Sequence, residues 1–267
     1  MSVITLTTDF GAADWFVGTM KGVIASLAPK TTVLDLTHGL PPGDIRGAAF
    51  ALAASHRFFP QGAIHVVVVD PGVGSRRKAI AVRTATAVFV GPDNGVLSWA
   101  LAKEKLKAIH ALENNTRFLQ PVSHTFHGRD IFAPVAAYLS RGVPIHEFGP
   151  PLKDFIHLPW PEPRVRQGKI EGEVVYIDHF GNAITNLEGG LLRPSSEAAC
   201  QVHAQHRQVC PVRTHFQAVP PKSPVALLGS SGFLEIALNG GSAKAALGIQ
   251  VGTRITLQTA SPARKFR

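Results

Sequence analysis

Two aspartates and a threonine-histidine pair close the first three strand-like segments of the chain. Asp9 follows Val3-Ile4-Thr5-Leu6-Thr7 within Thr8-Asp9-Phe10-Gly11, and Thr37-His38 follows Thr32-Val33-Leu34-Asp35-Leu36. Asp70 follows Ile64-His65-Val66-Val67-Val68-Val69 and opens Asp70-Pro71-Gly72-Val73-Gly74. Open parallel sheets bind ligands beyond the carboxyl ends of their strands, where a carboxylate can take a proton from a reacting group. An aspartate before proline also suits a plain turn. The wholly apolar strand ahead of Asp70 favours function there, while Asp9 stays balanced between a site and a capping or turn role. Thr125-Phe126-His127-Gly128-Arg129-Asp130 adds a histidine, which donates, accepts or carries charge near neutral pH, although Asp130 also suits the first turn of a helix over Ile131–Leu139. Asp178-His179-Phe180-Gly181-Asn182 groups polar residues once more, and by residue type it reads first as a tight turn.

Three other chemistries are weak. Gly72-Val73-Gly74 lacks the third glycine of a dinucleotide fingerprint, and no GxxxxGK[ST] occurs. Asp9-Phe10-Gly11 has no accompanying glycine-rich or His-Arg-Asp loop of a kinase. Cys200, His203, His206 and Cys210 are ligand types at close spacing, but zinc sites usually take their ligand pairs from two separated knuckles. That leaves a metal there open but disfavoured, and the expected chemistry uses none.

The elements that must position these residues alternate strand and helix over the first 150 residues. Phe16, Met20, Val23, Ile24 and Leu27 recur at helical spacing, with Asp14 expected as N-cap and Pro29 as the stop. A second helix is expected over Asp44–Arg57 and a third over Val96–Lys105, with Ala79–Val90 read as β and Gly91–Gly95 as a turn. Ile64–Val69 is apolar on both faces, which belongs to a mostly parallel sheet covered by helices on both sides. Prolines 150, 151, 159, 161 and 163 place a connection between an N-terminal α/β domain over 1–160 and a second domain over 168–267. Glu173–Ile177, Ala183–Leu187, Val225–Leu228, Phe233–Ala237 and Arg254–Leu257 are short and β-like, so a small β-barrel is expected there. Leu191–Val219, which contains both cysteines, reads as peripheral.

Of the 267 residues, 45% are hydrophobic, which excludes a disordered chain. The formal charge of +9 is spread over both halves, and the longest basic run is Arg76-Arg77-Lys78. With no nucleic-acid motif beside it, a nucleic-acid partner is not expected. No apolar run approaches the roughly 20 residues that cross a bilayer. Two cysteines fit a reducing compartment, so a cytoplasmic protein without membrane contact is expected.

Taken in order, Thr8–Gly11, Asp70–Gly74 with Arg77, Gly91–Gly95, Thr125–Asp130, Asp178 with Phe180-Gly181-Asn182, and Ser230-Ser231-Gly232 with Asn239 resemble the S-adenosylmethionine hydroxide adenosyltransferase family, relatives of the fluorinating and chlorinating enzymes. The resemblance implies an N-terminal α/β domain, a C-terminal β-barrel and a homotrimer that binds S-adenosylmethionine (SAM) between neighbouring subunits. It implies cleavage of SAM by water to adenosine and methionine, without a cofactor, with Asp70, Arg77 and His127 as the catalytic set. By the same resemblance Asp9 holds the ribose hydroxyls, and Asp178, Phe180 and Asn182 lie around the methionine and adenine ends. Ser230, Ser231 and Asn239 fall in an adenosine-binding stretch, and the match through Asp178 is one residue shorter than in the halogenases.

The chemistry is consistent with those residues. The sulfonium of SAM makes methionine a neutral leaving group, so displacement at the ribose 5′ carbon needs a nucleophile in line rather than an acid. Water is a poor nucleophile, and its proton needs an acceptor. Asp70 can accept it, Arg77 can fix the carboxylate, and His127 completes the set. Halide transfer is the first alternative, and a carboxylate beside the nucleophile position opposes it. A non-catalytic SAM or adenosine sensor is the second, and retention of Asp70, Arg77 and His127 together argues against it.

Overall fold

Apolar, β-branched segments of the first unit pair as their sequence predicts. The computed structural model describes residues 2–166, 169–191, 200–204 and 207–258, and the chain divides into the units Met1–Pro159 and Trp160–Arg267. In the first unit β1 (Val3–Thr8), β2 (Thr32–Thr37), β3 (Ile64–Val68), β4 (Ala79–Thr84), β5 (Val88–Pro92) and β6 (Leu106–Ala111) form one sheet in the order β2-β1-β3-β5-β4-β6. β1 lies parallel to β2 and β3, and β3 parallel to β5, whereas β4 runs antiparallel to β5 and β6. Four helices accompany it: α1 (Phe16–Leu27), α2 (Ile45–Ser55), α3 (Ser98–Leu101) and α4 (Ala133–Ser140).

Every residue of β3 is buried, as its unbroken apolar sequence requires. Alternate residues of β1 and β3 serve opposite faces. Ile4, Leu6, Val66 and Val68 form a core with Met20 and Ile24 of α1 and with Val135 and Ala136 of α4. The other face presents Thr5, Thr7 and His65, and the turn after α2 brings the His56 ring to 6.2 Å from that of His65.

Two local expectations change. Asp14 does not cap α1: the cap is Trp15, already in helical conformation and without a side-chain bond, which leaves Asp14 one residue outside the helix. The helix expected over Val96–Lys105 shrinks to α3: Ser98 Oγ donates to Gly95 O and accepts from Leu158 N at its start, and beyond Ala102 the helical ladder gives way to a tight turn in which Glu104 N donates to Leu101 O. The chain beyond it turns into β6, an edge strand held by pairing with β4. Asp44, by contrast, caps α2 by accepting from Gly47 N at 2.8 Å.

The second unit is an antiparallel, nearly closed barrel. Its strands are β7 (Arg164–Arg166), β8 (Lys169–Ile177), β9 (Ala183–Glu188), β10 (Gln201–Ala204), β11 (Arg207–Pro211), β12 (Pro224–Leu228), β13 (Phe233–Leu238) and β14 (Arg254–Gln258). They run in the order β11-β10-β14-β8-β9-β13-β12, with β7 beside β8, and a bridge between Val212 and Ala226 joins the two ends. A short helix, α5 (Ala243–Leu247), follows β13. The stretch read as peripheral is part of this barrel: Cys200, Val202, Cys210 and Val212 all lie in its core, because residues of one parity along β10 and β11 face inward.

Candidate active site

The peptide after β3 turns twice, with Val73 N donating to Asp70 O and Ser75 N to Gly72 O, and the turns fold Arg77 back onto Asp70. Arg77 Nε donates to both carboxylate oxygens of Asp70, at 3.0 and 2.8 Å, and Arg77 Nη2 also donates to Asp70 Oδ2. The same Nη2 lies 2.8 Å from His127 Nδ1. The guanidinium stands 5.5 Å from the centroid of the buried Phe132 ring, a cation-π contact. A guanidinium has no acceptor, so His127 Nδ1 must accept. Burial, followed by the positive charge of Arg77, pushes the His127 imidazole below its ordinary value of 6.5. The ring is therefore neutral at pH 7, with its proton on Nε2.

The surrounding backbone fixes this set. Gly74 has φ +77° and packs so closely that an added Cβ would stand 2.3 Å from His124 O, which ties the Asp70–Arg77 loop to the His127 segment. Asn94 Nδ2 donates to Val69 O at 2.9 Å, so the Gly91–Gly95 turn pins the peptide just before Asp70. His127 leads into a π-helical turn, Gly128–Phe132, that continues as α4; π turns recur at functional sites. Asp130 does not act as a helix cap. It is fully buried, receives Arg129 Nε at 2.6 Å and Ser123 N at 2.8 Å, and so tethers the preceding loop.

Asp70 and His127 line an open cavity of about 480 Å³ together with Asp9, Phe10, Gly43 and Thr125. That volume suits a small ligand. Asp9 Oδ2 accepts from Gly43 N at 2.7 Å, which joins the loop after β1 to the loop after β2. The rings of Phe10, Phe16 and Phe126 pack with centroids 5.1 to 5.9 Å apart. The structure thus brings Asp9, Asp70, Arg77 and His127 into one site of the first unit. Phe10, Gly43 and Thr125 were not singled out individually from sequence; Phe10 and Thr125 stand inside motifs that were.

The other candidates lie in the second unit. Asp178 accepts from Asn182 N at 2.8 Å and from Asn182 Nδ2 at 2.9 Å, closing the β8–β9 turn, and Phe180 at its tip is 73% exposed. Ser230 is exposed in the β12–β13 turn, and Ser231 Oγ is buried without a hydrogen-bond partner among the described residues. Asn239 Nδ2 donates to Val219 O at 2.8 Å. Sequence reasoning missed Glu235 of β13, whose carboxyl is pushed above its ordinary value by burial and by the charge of Asp178. The signal was available: a lone acid stands in the otherwise apolar Phe233–Leu238 strand.

Cys200 and Cys210 are reduced thiols in the barrel core, and burial pushes Cys210 up to about 12. His203 alternates with the buried Val202 and Ala204 and so faces away from them, while His206 lies outside the described residues. Among the described residues no three His, Cys, Asp or Glu side chains form a metal-holding group. None of the described helices is long and apolar enough to cross a membrane.

Fold and site define an α/β protein with a carboxylate, a guanidinium and a neutral imidazole at the carboxyl edge of a parallel-rich sheet, joined to a barrel unit. The sequence model described as SAM hydroxide adenosyltransferase N-terminal domain matches residues 4–149, and that of the C-terminal domain matches residues 172–256. The chain belongs to the SAM hydroxide adenosyltransferase family. It is 42% identical over 256 residues to an (R)-S-adenosyl-L-methionine hydrolase of Salinispora tropica, covering 94% of this chain and 96% of the relative. A fluorinase of Actinoplanes sp. is more distant, at 24% identity over 294 residues, 97% of this chain and 98% of the fluorinase. A solved structure of an uncharacterized conserved protein from Thermotoga maritima superposes with a TM-score of 0.89 at 35% identity, covering 96% and 99% of the two chains.

Proposed function

We propose that the protein hydrolyses SAM to adenosine and L-methionine by attack of water at the ribose 5′ carbon, with no metal or cofactor. The observation that carries this reading is the contact of Arg77 with both Asp70 and His127 at the wall of one cavity. The C5′–S bond breaks with its electron pair going to sulfur, which leaves a neutral thioether. The new bond forms between the water oxygen and C5′, and one proton is released.

The hydrogen-bond pattern divides the work among the three side chains. His127 Nδ1 is occupied by an Arg77 N–H, and its Nε2 carries a proton, so the neutral imidazole can donate to the water oxygen but cannot take its proton. Arg77 has no acceptor at all. Asp70 is the group left with lone pairs to receive the proton as the C–O bond forms. Arg77 keeps that carboxylate in place and balances its charge in the substrate-free state. Asp9, which lines the same cavity, takes the ribose hydroxyls.

The functional assembly in this reading is a homotrimer with shared sites. Asp178, Phe180, Asn182, Ser230, Ser231 and Asn239 of one copy receive the methionine and adenine ends of SAM bound at the Asp70 cavity of a neighbour. A cyclic trimer of that kind is a closed, head-to-tail arrangement. Buried, reduced thiols suit a reducing compartment, which supports a cytoplasmic setting for the reaction.

The test is incubation of the protein with SAM in heavy-oxygen water, with chelator present. Labelled adenosine and unlabelled methionine are expected. Methylthioadenosine as the product, or complete loss of activity on chelation, would count against the reading.

A further inference from the structure

The loop that carries Asp9 is held from behind by a residue outside the cavity lining. His38 Nδ1 lies 2.8 Å from Thr8 Oγ1, and that same oxygen accepts from Phe10 N at 3.2 Å. His38 O accepts from Gly11 N at 2.8 Å. One side chain and its own carbonyl therefore brace both ends of Asp9-Phe10-Gly11. Thr8 Oγ1 accepts the Phe10 N–H and still has both a hydrogen to give and a lone pair, so the tautomer of the His38 ring sets the direction of this contact. His38 Nε2 stands 3.0 Å from Asp35 Oδ1, and a carboxylate has no hydrogen to give, so the ring proton belongs on Nε2; Asp35 in turn meets Lys21 Nζ at 2.6 Å. Nδ1 is therefore the ring's acceptor, and it takes the Thr8 hydroxyl hydrogen.

From this arrangement we propose that His38 is a positioning residue for ribose recognition, acting through Thr8 to hold the Asp9 carboxylate against the Gly43 N–H. The proposal rests on the functional reading above, in which Asp9 takes the ribose hydroxyls. A ring recruited only for packing would not need Nδ1, and an apolar side chain would fill the space as well. Here the ring nitrogen and the carbonyl both serve the three-residue loop that ends in Gly11, which donates its N–H to His38 O and turns the chain away at a φ of +68°.

Two amides separate the ring nitrogens, because asparagine places its amide near the Nδ1 position and glutamine near Nε2. Binding of adenosine and of 2′,3′-dideoxyadenosine is measured by calorimetry on the full chain and on His38→Gln, His38→Asn and Thr8→Val. The parent is expected to prefer adenosine. His38→Gln should weaken adenosine roughly tenfold, the scale of one lost hydrogen bond, and leave the dideoxy nucleoside nearly unchanged. His38→Asn, whose amide oxygen can accept from Thr8, should recover most of the preference. Thr8→Val should reproduce His38→Gln and carries the test if that variant does not fold.

A purely structural role predicts equal weakening of both nucleosides, which would overturn the proposal. So would an unchanged preference in folded His38→Gln. A parent that binds both nucleosides equally removes the role given to Asp9, and with it this inference, while leaving SAM cleavage standing. A parent that binds neither nucleoside and does not cleave SAM overturns the functional reading itself.

Discussion

Arg77 Nη2 donates to His127 Nδ1 at 2.8 Å while the rest of its guanidinium holds Asp70, so the cation dictates the tautomer of the imidazole. Burial and that neighbouring charge keep His127 neutral below its ordinary 6.5. Protonating His127 would put a second cation against Arg77 and break the 2.8 Å bond. In a profile of kcat/KM against pH, His127 should contribute no change between pH 6.5 and 8. An inflection in that range in the parent that disappears in His127→Gln would refute this assignment.

Asp70→Asn keeps nearly the same shape and one acceptor toward Arg77, but removes the group proposed to take the proton. Turnover should fall by ~10²–10⁴ while SAM affinity changes little. Single-turnover rates and calorimetric binding on the same sample separate the two. Parent-like turnover in Asp70→Asn would end the proposed role.

The contribution of Arg77 was legible only through the family resemblance. Asp9, Asp70 and His127 stand out because a polar residue that ends an apolar strand, or a histidine in a compact polar loop, is visible in one dimension. Arg77 reaches Asp70 only because two turns and the close approach of Gly74 to His124 fold seven residues back on themselves. Strand patterning was readable where burial was two-sided, as in β3, and failed at β6, where Lys107 and His110 disguise an edge strand. The β10–β11 hairpin was missed as a core element because its inward residues, Cys200, Val202 and Cys210, are set among Gln201, His203, Arg207 and Gln208 in a polar stretch. Asp14 and Asp130 looked like caps by position, yet the cap of α1 fell one residue later and Asp130 went to Arg129 and Ser123.

Stability should depend on pH through His65. It is fully buried in the sheet, bonded at Nδ1 to Thr5 Oγ1 at 2.8 Å, and burial, with the His56 charge adding to it, pushes it from 6.5 down to about 4. Because the folded value is depressed, the unfolded chain binds more protons between those two values. The contribution is therefore complete above pH 6.5 and is lost as pH falls toward 4. That interval corresponds to about 3 kcal/mol. Urea unfolding of the parent should show this loss, with His127 adding in the same direction. His65→Asn should show a flatter dependence, and an identical slope in the variant would refute the assignment.

The proposed shared-site trimer makes a complementation prediction. Asp70→Asn and Asp178→Ala should each be poorly active alone. In trimers mixed from equal amounts of the two, a site is intact when an Asp178→Ala copy supplies Asp70 and its neighbour, an Asp70→Asn copy, supplies Asp178. Random cyclic assembly should then restore about a quarter of the parent activity. Activity no greater than the mean of the two separate variants would show that each chain supplies its own Asp178.

In the proposed reaction a halide would have to take the place of the attacking water, and the charge of the site decides between them. The Asp70 carboxylate sits at the cavity wall with 4% of its side chain exposed, and it is neutralised by Arg77 rather than by solvent. An incoming chloride would face that carboxylate directly and would compete with it for the Arg77 donors. Water suits both neighbours, because it can donate to Asp70 and accept from His127 Nε2–H. High chloride should therefore neither yield chlorinated adenosine nor strongly inhibit hydrolysis. Replacing Asp70 and His127 together with aromatic residues removes the repulsion but supplies no donors, so hydrolysis should fall with little or no halide transfer in its place. Product analysis in molar chloride tests this: chlorinated adenosine from the unmodified protein would mean that Asp70 does not exclude anions from the nucleophile position.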